Sequence, residues 1–224
     1  MEKIKLSING NSSKAFLSYF DQRPDFEIVE QSADVALITE LKKNTDAVSA
    51  KKKFFVDAIV LKPIAAKVLA LIAEGKIGAV QSADFSLNAP EGVSEEKLRS
   101  CIYLLLAICG EKIKDKMSQD CASGYRHGFV ALQLKNGSVV RLTYAGAAGE
   151  KREYCCIYGT LGEIRLDLQC GRARFFKQEP NYKGDEIKPT LAADRFFATQ
   201  LKNAVQNGKN TVFLSVDDTG LLDL

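Results

Sequence analysis

The stretch Lys3 to Phe20, KIKLSINGNSSKAFLSYF, decides the fold class. Its first six residues are a short β-prone run. Asn9-Gly10-Asn11-Ser12-Ser13 is a polar turn built around one glycine, and Lys14 to Phe20 reads as a helix with Ser12 or Ser13 available as N-cap. Strand, glycine turn and helix start make one β-α unit. Working outward, Arg23-Pro24-Asp25 breaks the helix and Phe26 to Val29 reads as a second strand. Ala33 to Thr39 (ADVALIT) is a third, nearly all apolar, as a strand covered on both faces must be. Leu41 to Lys53 is polar and reads as helical, Phe54 to Val60 as a buried strand, and Pro63 to Glu74 as a helix. In that helix Ile64, Val68, Leu71 and Ile72 keep helical spacing, with Pro63 in the first turn and Gly75 at the C-cap. Strands alternating with helices predict a parallel sheet.

After Asn88-Ala89-Pro90-Glu91-Gly92 the pattern changes. Glu95 to Cys109 is one apolar helix, and then strands follow strands. Phe129 to Leu134 and Val139 to Tyr144 flank Asn136-Gly137, a hairpin signal. The apolar set Val130, Leu132, Leu134, Val140, Leu142 and Tyr144 is entirely even-numbered, so a two-residue loop would mismatch the faces and a three-residue loop with a bulge is expected. A second hairpin runs from Tyr154 to Tyr158 through Gly159-Thr160-Leu161-Gly162 to Leu168. Arg174-Phe175-Phe176 reads as an edge strand, Gln178 to Pro189 as a polar loop, and Leu191 to Asn207 as a helix closed by Gly208. The expected architecture is α/β plus α+β. A truncated Rossmann-like parallel sheet over residues 1–84 precedes a domain over 85–224 with a large, mainly antiparallel open sheet, whose C-terminal helix returns to the first domain.

Composition narrows the function classes. Of 224 residues, 31 are basic and 28 acidic, too even a balance for the electrostatic footprint of a nucleic-acid binder. The start MEKIKLSING has no signal-peptide core, and no run approaches the ~18 apolar residues of a membrane span. A cytoplasmic protein is expected. The six cysteines form no CxxC pair and, with a single histidine, His127, give no zinc-ligand spacing. They are expected to be reduced and mostly buried.

Several segments in order resemble the glucose-fructose oxidoreductase, inositol dehydrogenase and rhizopine-catabolism (Gfo/Idh/MocA) family of NAD(P)-dependent oxidoreductases. They are Lys5-Leu6-Ser7-Ile8-Asn9-Gly10, Pro24 to Val29, PIAAKVLALIAEGKIGAV from Pro63 to Val80, Leu134 to Ser138, Ile157-Tyr158-Gly159-Thr160-Leu161-Gly162-Glu163-Ile164, and FFATQLKNAVQNG from Phe196 to Gly208. The resemblance implies a Rossmann domain binding NAD or NADP and an open-sheet domain that covers the cofactor and often mediates oligomerisation. It also implies a shortening that falls mainly in the nucleotide domain.

The same resemblance marks site residues. Gly10, Asn11 and Ser12 stand in the phosphate loop and Thr39 at the end of the third strand, as the cofactor-binding set; Glu30 is the candidate for the ribose. Only the first glycine of G-x-G-x-x-G remains, and Ser12 puts a side chain where pyrophosphate should approach. Leu61-Lys62-Pro63 answers to the family's Glu-Lys-Pro, which makes Lys62 the candidate catalytic lysine. On the helix from Glu95, the positions of the family's Asp-x-Gly-x-His-x-x-Asp are Glu96, Leu98, Ser100 and Tyr103, so the acid-base imidazole is gone. The expected function is therefore an oxidoreductase homologue with lost or weak dehydrogenase activity and a binding or regulatory role. The alternative is an active minimal NAD(P)-dependent enzyme acting on a sugar-like or polyol hydroxyl, with Lys62 or Tyr103 as proton donor. His127 reads as structural, and the basic stretch Arg172 to Lys177 as a secondary candidate surface for an anionic ligand.

In both hairpins apolar residues fall on both alternation sets, Phe129, Ala131 and Val139 opposing the even-numbered set. A sheet with one solvated face should alternate cleanly. The second face is expected to be covered by the same face of another subunit in a two-fold homodimer.

Overall fold

The computed structural model describes residues 3–10, 13–21, 23–30, 32–39, 50–121, 126–146, 149–179, 182–189, 193–207 and 212–215. The first sheet contains β1 (Ile4–Asn9), β2 (Phe26–Ile28), β3 (Ala33–Ile38) and β4 (Ala50–Phe55), all parallel. In β3 every residue except Asp34 is buried, as its composition predicts. Helix α1 (Ser13–Phe20) lays Phe16 and Phe20, one turn apart, into the core.

The chain leaves this sheet through a 3-10 turn (Ala58–Leu61) and α2 (Pro63–Ala73), then enters the second sheet with β5 (Val80–Asn88). Ala83, Phe85 and Leu87 of β5 turn inward onto α3 (Glu95–Cys109). Ser94 caps α3 by accepting the Lys97 amide at 3.2 Å, and Gly110 ends it with φ +65°. From Cys101 to Ile108 the helix is buried all round, because it is wedged between the two sheets.

The remaining strands are β6 (Ile113–Cys121), β7 (His127–Leu134), β8 (Val139–Ala145), β9 (Arg152–Gly159), β10 (Gly162–Asp167), β11 (Arg172–Lys177) and β12 (Asp185–Ile187). They complete an eight-stranded sheet in the order β12-β11-β10-β9-β5-β8-β7-β6. Only β5 and β8 run parallel. Helix α4 (Ala193–Asn207) returns to α1 and α2, and β13 (Leu214–Ser215) adds an antiparallel fifth strand beside β4. The fold is thus a Rossmann-like parallel sheet plus a large, mostly antiparallel one. Among the described residues no helix is long and apolar enough to cross a membrane.

The β7–β8 hairpin has the three-residue loop that the face arithmetic requires. Leu134 and Ser138 close it, Val130 faces Leu142, and Gly137 takes φ +90°, the left-handed bulge position. The β9–β10 hairpin also forms as read, with Ile157 opposite Ile164.

Four expectations are corrected. Residues 50–53 belong to β4, not to a helix over Leu41 to Lys53, whose residues 41–49 lie outside the described ones. The basic run is tolerated in a strand because Lys51 pairs with Asp34 at 2.8 Å and Lys52 donates to the Val205 carbonyl at the last turn of α4. The strand expected over Phe54 to Val60 ends at Phe55, where Asp57 caps the 3-10 turn instead. The third correction concerns Arg174 to Phe176, which are not at the sheet edge: β12, inside the expected polar loop, pairs beyond them. Finally, of the six cysteines only Cys101 and Cys155 are buried. Strand β5 lies wholly in the second sheet.

Candidate functional site

In an open parallel sheet, ligands settle outside the carboxyl ends of the strands, where neighbouring connections diverge. Here β1 has β2 on one side and β3 on the other, so the divergence falls at the ends of β1 and β3. The structure brings Gly10 and Thr39 together there. Thr39 donates from its amide (2.8 Å) and its hydroxyl (3.1 Å) to the Asn9 carbonyl. Gly10 has φ +115°, a conformation that favours glycine, and α1 starts three residues later. This strand, tight turn and helix start fit the pyrophosphate end of a dinucleotide, which helix amides would hold. Asn11 and Ser12 lie outside the described residues. Glu30 is exposed just beyond β2.

A second group of polar side chains gathers where β4 ends. Asp57 takes the Ile59 amide on Oδ1 (2.8 Å) and the Ser100 hydroxyl of α3 on Oδ2 (2.8 Å). Five residues on, Lys62 opens α2 and ion-pairs with Glu153 of β9 at 3.0 Å. Lys97, one turn before Ser100, binds the other Glu153 oxygen at 2.7 Å. Glu153 is 5% exposed and the lysines 39% and 29%, so a buried carboxylate holds two ammonium groups that reach solvent.

Environment separates the two carboxyls. Burial pushes Glu153 up, but the hydrogen bonds and charges of Lys97 and Lys62 outweigh it and leave the group below the usual glutamate range. Asp57 goes the other way. Its burial outweighs the donors Ile59 and Ser100, Glu96 adds to the rise, and the carboxyl stands above the usual aspartate range.

Lys62 and Ser100, marked separately in the sequence, therefore meet in one cluster. Tyr103 does not join them in an open site, which corrects its reading as a proton donor. Its ring stacks edge-on to Phe55 at 5.4 Å, its hydroxyl donates to the Val212 carbonyl, and burial lifts its pKa well above normal. The phenol ties α3 to the segment leading into β13. Neighbouring Cys101 is likewise buried, its thiol pushed up to about 12 by burial.

Asp57 and Glu153 were missed, although both left signals. Asp57 is a lone carboxylate inside the apolar run FFVDAIV, and Glu153 shares inward parity with Cys155 and Ile157. Among the described residues no group of three or more His, Cys, Asp or Glu could hold a metal ion. His127 stands exposed at the start of β7. The basic stretch of β11 lies at the far end of the large sheet. There Lys177 lines an open groove with Lys76, Thr160 and Phe175, and Arg165 stacks on Phe176 at 4.4 Å.

The two sheets and their order define the fold of the Gfo/Idh/MocA-type oxidoreductases, which are the solved structural neighbours of this chain. One is UDP-N-acetylglucosamine 3-dehydrogenase GnnA from Acidithiobacillus ferrooxidans, with TM-score 0.60 and 9% identity over 99% of this chain and 95% of that one. Levoglucosan dehydrogenase, in complex with NADH and levoglucosan, gives 0.57 and 12% over 99% and 94%. Biliverdin reductase from Synechocystis sp. PCC 6803, with biliverdin and NADP+, gives 0.54 and 13% over 98% and 95%. At such identities the likeness is one of fold. No family model and no curated relative matches the sequence.

Proposed function

We propose that this chain is an oxidoreductase homologue that holds NAD or NADP along the carboxyl edge of its parallel sheet. It oxidises a sugar-like or polyol hydroxyl only weakly, so a binding or regulatory role in the cytoplasm is its main one. The observation that carries this reading is the cluster of Asp57, Lys62, Lys97, Ser100 and Glu153 at one end of that edge, with the Gly10 turn at the other. The named neighbours that bind NADH or NADP+ support the cofactor class. Gly10 and the first turn of α1 would hold the pyrophosphate, and the bound nicotinamide would accept a hydride. Slow turnover follows from the side chains present: no imidazole stands at the cluster, and Lys62 is already paired with a buried carboxylate. Titration with NADH and NADPH by calorimetry tests the reading. Saturable binding of either is expected, and no binding at millimolar cofactor would sink it.

The proposed partner rests on the outer face of the large sheet as the described residues leave it. Helices α2 and α3 pack on one face; on the other, Met117, Val139 and Tyr158 are exposed side chains of three different strands. We propose a two-fold homodimer through this face, since stable partners typically bury ~800 Å² each. Sedimentation equilibrium at micromolar concentration should give twice the chain mass. A monomer there contradicts it.

A further inference from the structure

Asp57 does more than cap a turn. The cap uses Oδ1 alone, and serine, threonine or asparagine would supply that acceptor without burying a charge. Oδ2 instead reaches α3 and accepts the Ser100 hydroxyl. A serine within a helix commonly returns its hydrogen to its own backbone. Ser100 gives it instead to the carboxylate that follows β4, and a hydroxyl oxygen that donates can still accept from a third group.

The surroundings suit a proton that comes and goes. From α3, Glu96, Lys97, Cys101 and Tyr103 act on Asp57, while Lys97 links it through Glu153 to Lys62. The half-buried carboxyl is held above the usual aspartate range, and such shifts cluster at functional sites. The pair also sits at the carboxyl end of β4, on the edge where the proposed cofactor would lie.

We propose that Ser100 and Asp57 form a two-residue proton path for the substrate hydroxyl. This rests on the reading of the chain as an oxidoreductase. The substrate O–H proton passes to Ser100 Oγ as the serine's own hydrogen passes to Asp57 Oδ2. The carbon–oxygen double bond forms, and the hydride goes to an oxidised nicotinamide dinucleotide. Asp57 ends protonated and releases its proton to water. Ser100 is the residue that meets substrate, and Asp57 acts through it.

Two measurements on the full chain test the path. The first is a carbon-13 carboxyl titration of Asp57, assigned with Asp57→Asn, which needs neither substrate nor cofactor. The expected pKa is above that of an ordinary aspartate. It should rise further in Ser100→Ala, which removes a donor to the charged form, and return in Ser100→Thr. An ordinary aspartate pKa, or one indifferent to Ser100→Ala, overturns the path. The second is reduction of NAD+ and NADP+ with levoglucosan, glucose and myo-inositol as probes. The wild-type rate should climb as Asp57 deprotonates and level off at higher pH. Asp57→Asn should lose about 100-fold in turnover at saturating cofactor. Turnover that survives in Asp57→Asn, or NADH binding with no wild-type turnover on any probe, overturns the proton path alone. Failure to bind NADH or NADPH removes the cofactor reading and the path together.

Discussion

The two faces of the eight-stranded sheet are made by alternate residues of the same strands, yet they carry different chemistry. On the inner face Glu153, Cys155 and Ile157 of β9 point toward the helices, and Glu153 joins α2 to α3 through two lysines. On the outer face Tyr154, Cys156 and Tyr158 alternate with them, the first two half-buried and Tyr158 exposed. The inner face is a junction: Asp57 to Ser100, Lys62 to Glu153 and Tyr103 to Val212 all cross from one sheet's elements to the other's. The outer face is the surface of the proposed homodimer. Inner changes should therefore cost stability, whereas outer ones should change assembly.

The largest effect is expected from the double variant Lys62→Ala/Lys97→Ala. It leaves Glu153 as an uncompensated buried charge, a loss of about 3 kcal/mol in urea unfolding. Tyr103→Phe comes next. It strips the Val212 carbonyl of its donor and should cost about 1–2 kcal/mol by the same assay, freeing the last strand first. Wild-type stability on the outer face should barely respond to Val139→Glu, by about 0.5 kcal/mol or less, because Val139 is 46% exposed. The same variant should nonetheless turn the proposed dimer into monomer in the ultracentrifuge.

The two inner carboxyls also predict opposite pH behaviour. Glu153 has a folded pKa below its ordinary 4.5. Its contribution is present above that value and is lost as pH falls through the folded pKa. Asp57 has a folded pKa above its ordinary 3.8. Its contribution is present below that value and is lost as pH rises through the folded pKa. Chemical denaturation followed from pH 3 to 7 should thus show Glu153→Gln losing part of the wild-type acid sensitivity. Asp57→Asn should gain stability relative to wild type as the pH rises.

Legibility followed the same divide between local and distant causes. Helix α3 was readable to the residue because its cap, acidic first turn, apolar stretch and terminal glycine are all local. The three-residue loop at Lys135-Asn136-Gly137 followed from parity alone. β6 was not legible, because an edge strand with nearly every side chain in solvent has no alternation to read. β4 was misread, since its lysines are explained only by Asp34 and the Val205 carbonyl, partners far along the chain. In the site, Gly10, Thr39 and Lys62 were marked by motif. Asp57 and Glu153 gain their meaning only when Ser100, Lys62 and Lys97 are brought to them. Tyr103 was placed on a catalytic position by alignment, but packing against Phe55 gives it a structural task.

In the function proposed above, a nicotinamide dinucleotide lies along the carboxyl edge of the parallel sheet, from the Gly10 turn to the Asp57 cluster. Amide shift mapping of the nitrogen-15-labelled chain on addition of NADH tests this most directly. The largest changes are expected at Gly10, Thr39, Asp57 and Ser100, with little at Met117 or Tyr158 on the outer face. Changes confined to the outer face, or none at millimolar NADH, would contradict it.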